Sequence, residues 1–250
     1  MKRFVVFVSL VIFFLALNQA FAQKDPNDPG KPDSVWFYPA YLYYPLPSGP
    51  GIGFVHIKFV NDDSVTAISM PLTWAGDLQF DSVTFRDSRV SYLQYKTVNP
   101  KPFENKVLIG AVPVEEDLIP PGRGIFATLC FTIQDIGAAS VDTIFFPPLN
   151  HLIFVTIQPV SYTPRFVPGH FSVIQYHPGD VDFDSNINLV DVIYLANYIL
   201  KNGPLPPHPI TADVNSDCAI NLIDVIYLAN NILKNGPDSL PGCIWNPFDP

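Results

Sequence analysis

Two stretches of this chain, Asp180–Pro204 and Asp213–Pro237, are one 25-residue unit written twice, offset by 33, with 19 of the 25 positions identical. A repeat this close is not a chance pattern. Each copy opens on a polar loop and closes on a helical pattern, predicted over Asp191–Asn202 and Asp224–Asn235. Gly203-Pro204 and Gly236-Pro237 then supply the expected stop signal, glycine followed by proline just past the last periodic residue.

The loops carry the chemistry. Asp180, Asp182, Asp184, Asn188 and Asp191 stand at loop positions 1, 3, 5, 9 and 12, and Asp213, Asn215, Asp217, Asn221 and Asp224 repeat the set. This is the EF-hand ligand spacing, in which oxygen donors at alternate positions fold around one Ca²⁺. Position 7 donates a backbone carbonyl, here from Asn186 and Ala219. Position 8 is isoleucine in both loops, Ile187 and Ile220, predicted to pair the loops through a small shared core. The competing reading is a pair of acidic turns, since Asp and Asn favour turns anyway. Charge placement decides against it. Between Gly179 and Pro237 all seven acids lie at positions 1, 3, 5 or 12, against two lysines, Lys201 and Lys234, so the net charge of −5 falls to −1 with two Ca²⁺. Four carboxylates in the first loop against three in the second predict that the first fills first.

The tandem unit GDVDFDSNINLVDVIYLANYILKNGP / ADVNSDCAINLIDVIYLANNILKNGP resembles a type I dockerin. The resemblance implies two loop–helix halves, two calcium ions, and calcium-dependent docking onto a cohesin-domain partner. Two features depart from the family. Position 6 usually needs glycine but is Ser185 and Cys218, and holding such a residue left-handed costs about 1–2 kcal/mol. The well-studied clostridial dockerins carry a hydroxyl pair at positions 10 and 11 that recognises cohesin. Here those positions are Leu189-Val190 and Leu222-Ile223, so an apolar partner surface is expected, with covering of the module's own core as the rival role.

Ahead of the repeat, the first 22 residues read as an export signal: Lys2 and Arg3, an apolar run from Phe4 to Leu17, then Ala20-Phe21-Ala22. A secreted, extracellular product is expected, with no membrane span after cleavage. Residues 23–33 (QKDPNDPGKPD) read as a flexible leader. With 23 acidic residues against 14 basic ones there is no basic patch for nucleic acid. From Ser34 to Tyr176, short alternating runs predict a mainly β, antiparallel two-sheet sandwich before the small all-α repeat module. These runs are Gly53–Val60, Val107–Val112, Ile125–Ile133, Asp142–Phe146 and Phe166–Ile174, among roughly eight in all. Val55, Ile57 and Phe59 should share one face. Segments such as KVLIGAV and GIFATLCFTI resemble a cohesin, which would give one chain both socket and plug and so allow a second copy as partner.

Trp36, Phe37 and Tyr38 with Tyr41, Tyr43 and Tyr44 could form a sugar-stacking platform, but packing inside the sandwich is the favoured role. The five histidines are scattered, with no zinc spacing. A glycosidase needs two positioned carboxylates, and adjacent Glu115-Glu116 would alternate faces on a strand. Dockerin resemblance implies an extracellular polysaccharide-degrading context, and the expected role is non-catalytic assembly. The alternative is a carbohydrate-binding module or cryptic glycoside hydrolase delivered by the dockerin. Of three cysteines, Cys218 and Cys243 are expected to pair, tying the tail 238–250 to the second loop. Cys130 should be a buried free thiol.

Overall fold

Alternation of apolar and polar residues builds the larger part of the molecule. The computed structural model describes residues 27–243 apart from 29, 39–40, 48, 114–117, 145–150 and 159. The export signal, the first part of the leader and Glu115-Glu116 lie outside the described residues. Thirteen strands form among those described: β1 (Ser34–Tyr38), β2 (Tyr41–Pro45), β3 (Gly51–Asn61), β4 (Val65–Ala75), β5 (Leu78–Thr84), β6 (Tyr95–Lys101), β7 (Lys106–Val112), β8 (Gly122–Ile133), β9 (Ala138–Thr143), β10 (Ile153–Thr156), β11 (Ser161–Tyr162), β12 (Arg165–Phe166) and β13 (Gly169–Tyr176). Two helices follow, α1 (Leu189–Lys201) and α2 (Leu222–Lys234).

One layer runs β5-β8-β3-β1-β12. In the other, β7 lies between β6 and β4, and the far side of β4 pairs with β10 along its first half and β9 along its second. Strand β13 continues from β9, and β2 from β13. A single pair, Tyr43 opposite Ile52, joins this layer back to β3. Val55, Ile57 and Phe59 of β3 are fully buried on one face, facing Ile68, Met70 and Leu72 of β4 in a shared core. Aromatic edges lock the layers: Phe59 meets Phe154 at 6.1 Å and Trp74 meets Phe131 at 5.6 Å. A bulge lets Phe126 and Ala127 both reach the interior, because Ile57 pairs Ala127 while Lys58 pairs Ile125.

Several expectations need correction. The sandwich is not wholly antiparallel, since β1–β12 and β2–β13 pair parallel. The run Phe166–Ile174 is two strands, broken at Val167-Pro168. Val167 N–H still donates to the Val35 carbonyl at 2.9 Å, but proline has no N–H to continue the ladder, and the chain crosses to β9. Of the run expected at Asp142–Phe146, Asp142 and Thr143 are the last residues of β9, which starts at Ala138, and residues 145–146 lie outside the described residues. The later part of the expected flexible leader is fixed. Asp28 and Asp33 are buried, Asp33 N–H donates to Asp28 at 3.0 Å, and Tyr162 O–H donates to Asp33 at 2.5 Å. Of the aromatic cluster, Phe37 packs inward against Phe166 and Phe171, and Tyr44 against the core. Trp36 instead lies under Arg123 and Tyr38 under Lys58. Cys130 is a free thiol but only half-buried, because it faces away from Leu129 and Phe131, and partial burial raises its pKa.

Candidate calcium-binding and docking site

The two loops close on their own acids through backbone amides. Asp191, fully buried, accepts Val181 N–H at 2.7 Å and Asn188 N–H at 2.8 Å. Its counterpart Asp224, also buried, accepts Val214 N–H at 3.1 Å and Asn221 N–H at 2.9 Å. The same two acids complete capping boxes with Asn188 and Asn221, which accept N–H bonds from Val190 and Ile223. Each helix therefore begins at position 10 of its loop, two residues earlier than the periodicity predicts. The helices end on left-handed asparagines, Asn202 (φ 50°) and Asn235 (φ 49°), rather than on glycine. Gly203 and Gly236 are needed for another reason, since a Cβ on either would come within 2.9 Å of helix backbone.

Position 1 is fixed in the same way. Asp180 accepts Asp184 N–H at 3.0 Å and Ser185 N–H at 2.9 Å, while Asp213 accepts Asp217 N–H at 3.1 Å and Cys218 N–H at 3.2 Å. Asp184 and Asp217 accept Asn186 and Ala219 N–H at 2.7 and 2.9 Å. Oxygens of Asp180, Asp182 and Asp184 all lie within 4.8 Å of one another. In the second loop, Asn215 donates its side-chain N–H to Asp217 at 2.9 Å. Oxygen donors clustered within each loop fit a hard cation with many oxygen ligands. Desolvation raises the pKa of Asp180, Asp191 and Asp224, so burial alone disfavours their charged forms and a bound dication would offset it.

Both position-6 residues are left-handed, Ser185 at φ 73° and Cys218 at φ 63°. Phe183 and Ser216, at position 4, are left-handed as well, which the spacing did not signal. The module's core is Val181, Leu195, Ala212, Val214 and Leu228. Ile220 packs against it, whereas Ile187 is 41 % exposed, so the predicted pairing of the two isoleucines does not form a symmetric core.

Leu189, Val190, Leu222 and Ile223 are not core residues; they are 46 to 57 % exposed. Ile193 and Ile226, one turn further along each helix, extend the same apolar rows and are as open. Those two were missed in the sequence, although their spacing of three from positions 190 and 223 signals a shared face.

The loops differ in what they lean on. In the first, the Phe183 ring sits 4.4 Å from the His208 ring, and His208 Nδ1 lies 3.2 Å from Tyr43 Oη of β2. Tyr43, Tyr176 and Ile210 make a small core with Ile174 and Phe183, joining the repeat module to the sandwich. In the second, Cys218 and Cys243 are joined by a disulfide.

Comparison with known proteins follows this division. Residues 178–234 match the family model of the dockerin type I domain, so the C-terminal module is a dockerin by sequence. Type I dockerin domains bind calcium. The chain is also similar to solved structures over its β part. One is a chain of a type I cohesin–dockerin complex from Clostridium thermocellum, at 12 % identity and TM-score 0.47, covering 58 % of this chain and 100 % of that one. Another is the seventh ScaB type I cohesin of Pseudobacteroides cellulosolvens, at 17 %, TM-score 0.44, covering 58 % and 94 %. A third is a non-cellulosomal cohesin of Archaeoglobus fulgidus, at 14 %, TM-score 0.44, covering 58 % and 92 %. No curated protein matches the chain. No helix among the described residues is long and apolar enough to cross a membrane.

Proposed function

We propose that this protein is a secreted, non-catalytic assembly component whose dockerin takes two Ca²⁺ and docks onto a cohesin-type partner. Asp180, Asp182, Asp184, Asn188 and Asp191, with the Asn186 carbonyl, would hold the first ion. Asp213, Asn215, Asp217, Asn221 and Asp224, with the Ala219 carbonyl, would hold the second. Calcium fixes the start of each helix and thereby sets the spacing of the two apolar rows, Leu189-Val190-Ile193 and Leu222-Ile223-Ile226.

One observation carries the reading. The rows stay exposed among the described residues, so no described part of the sandwich covers them and they are open to another molecule. That molecule is a cohesin domain, either on a separate protein or, if the sandwich is itself a socket, on a second copy. The surfaces differ on the two sides, so copies would join head to tail. The dockerin reading also supports an extracellular, polysaccharide-degrading setting.

The test is surface plasmon resonance of the purified chain over immobilised type I cohesin domains and over itself, in calcium and in EDTA. Binding in calcium that EDTA abolishes, and that Leu189→Asp with Leu222→Asp abolishes while both ions stay bound, is the expected result. Binding that survives EDTA, or no binding to any of these surfaces, would overturn it.

A further inference from the structure

The second loop has a wall that the first lacks. After α2 the chain turns back: Leu240 N–H donates to the Val214 carbonyl at 2.9 Å, and Cys243 N–H donates to Asp213 Oδ2 at 2.9 Å. Cys218 N–H donates to that same oxygen at 3.2 Å. Both halves of the disulfide therefore grip one carboxylate, the position-1 ligand of the loop. Gly242 makes the approach possible, since a Cβ there would come within 2.2 Å of the Ile210 carbonyl. In the first loop, Asp180 Oδ2 takes Ser185 N–H from within its own loop.

We infer that the Cys218–Cys243 disulfide makes the C-terminal tail part of the second calcium loop and places occupancy of that loop under thiol–disulfide control. Oxidised, the bond adds a covalent restraint to the left-handed Cys218, beside its own N–H bond to Asp213, and keeps a tail amide on that carboxylate. A dithiol reductant reverses this in two exchanges. One thiolate attacks the protein disulfide to give a mixed disulfide and release one cysteine; the second closes the reductant's own ring and releases the other. The S–S bond is replaced by two S–H groups, and the reductant is oxidised to its cyclic disulfide. Past Leu240 the tail then keeps no covalent hold on the loop. The left-handed cost at Cys218 falls on calcium binding, a loss of about ten-fold in affinity. The first loop, with Ser185 at position 6, feels nothing.

This rests on the reading that the second loop takes Ca²⁺. The experiment is a calcium titration of the purified chain, oxidised and then in dithiothreitol, followed by NMR through the amides of Asn186 and Ala219, one in each loop. Reduction should weaken the Ala219 transition about ten-fold and leave the Asn186 transition within about two-fold. The Cys218→Ser, Cys243→Ser double variant should behave as the reduced chain with or without reductant. Equal affinities in the two states, equal losses at both loops, or a response to reductant in the double variant would overturn the inference. If the oxidised chain shows no Ala219 transition at all, the calcium reading of that loop fails and the inference falls with it.

Discussion

The two dockerin halves share the same loop and helix geometry yet rest on different supports. Nineteen identical positions give both the same amide cage around positions 1 and 12, the same capping box and the same asparagine stop. The six differences decide the surroundings. Phe183 at position 4 turns the first loop toward His208 and Tyr43, where its counterpart Ser216 has no ring to offer. Cys218 at position 6 staples the second loop to the tail, where Ser185 cannot. Local sequence repeats therefore fix local structure, and single substitutions fix how each copy is mounted. One half is braced by packing, the other by a covalent bond.

Removing calcium should produce the largest effect and erase the comparison altogether. With no ion, the clustered carboxylates of each loop repel one another, and burial opposes the charge of Asp180, Asp191 and Asp224. EDTA should melt α1 and α2, seen as loss of helical circular dichroism at 222 nm, while the β signal of the sandwich persists. At a hundred-fold excess of calcium over Kd the ions contribute about 3 kcal/mol per loop. On adding calcium back, the first loop should refill first, because it holds four carboxylates to three. Helices that persist fully in EDTA, or a second loop that fills first, would contradict this account.

Exchanging the mounting residue tests the brace. Phe183→Ser gives the first loop the residue of the second, and removing the ring from beside His208 should cost about 2 kcal/mol of domain coupling. In saturating calcium, calorimetry should then resolve separate unfolding of dockerin and sandwich, while Ser216→Ala leaves the profile unchanged. An unchanged profile for Phe183→Ser would mean that Tyr43, Tyr176 and Ile210 hold the domains without it.

What could be read in the sequence divides along the same line. The two acidic repeat loops are written in consecutive residues, because ligand spacing is a property of the local chain. Strand β3 is equally plain, since alternation at Val55, Ile57 and Phe59 is local too. The Phe183–His208–Tyr43 contact is not, because it joins residues brought together only by β2 and β13 lying side by side. The break at Val167-Pro168 carried a visible signal, a proline within an apolar run. The parallel pairings on either side of it depend on where distant strands lie. Asp28 and Asp33 looked like leader residues because polar composition alone says nothing of a tyrosine hydroxyl arriving from β11.

Asp33 supplies the most contrasting effect, a buried carboxylate outside both repeat loops that clusters with Asp28 and Asp62. Burial beside Asp28 and Asp62 outweighs its hydrogen bonds from Tyr162 and Asp62, and its pKa is raised to about 6. The folded chain therefore binds a proton between about pH 4 and pH 6 that the unfolded chain has already lost, so stability must fall as pH rises through that window. The loss should build between about pH 4 and pH 6 and level off above pH 7. Asp33→Asn cannot ionise and should flatten the slope, measured by urea denaturation at pH 4.5 and 7.5 through tryptophan fluorescence. Comparing variant and parent at each pH, both in calcium, cancels whatever the loop acids contribute. The contrast then becomes quantitative. In the loops burial pushes Asp180, Asp191 and Asp224 upward and calcium would push them back, so their pH dependence should shrink when the ions bind. If calcium instead flattens the Asp33 slope as effectively as the asparagine does, the sandwich carboxylates and the loop carboxylates do not differ in kind.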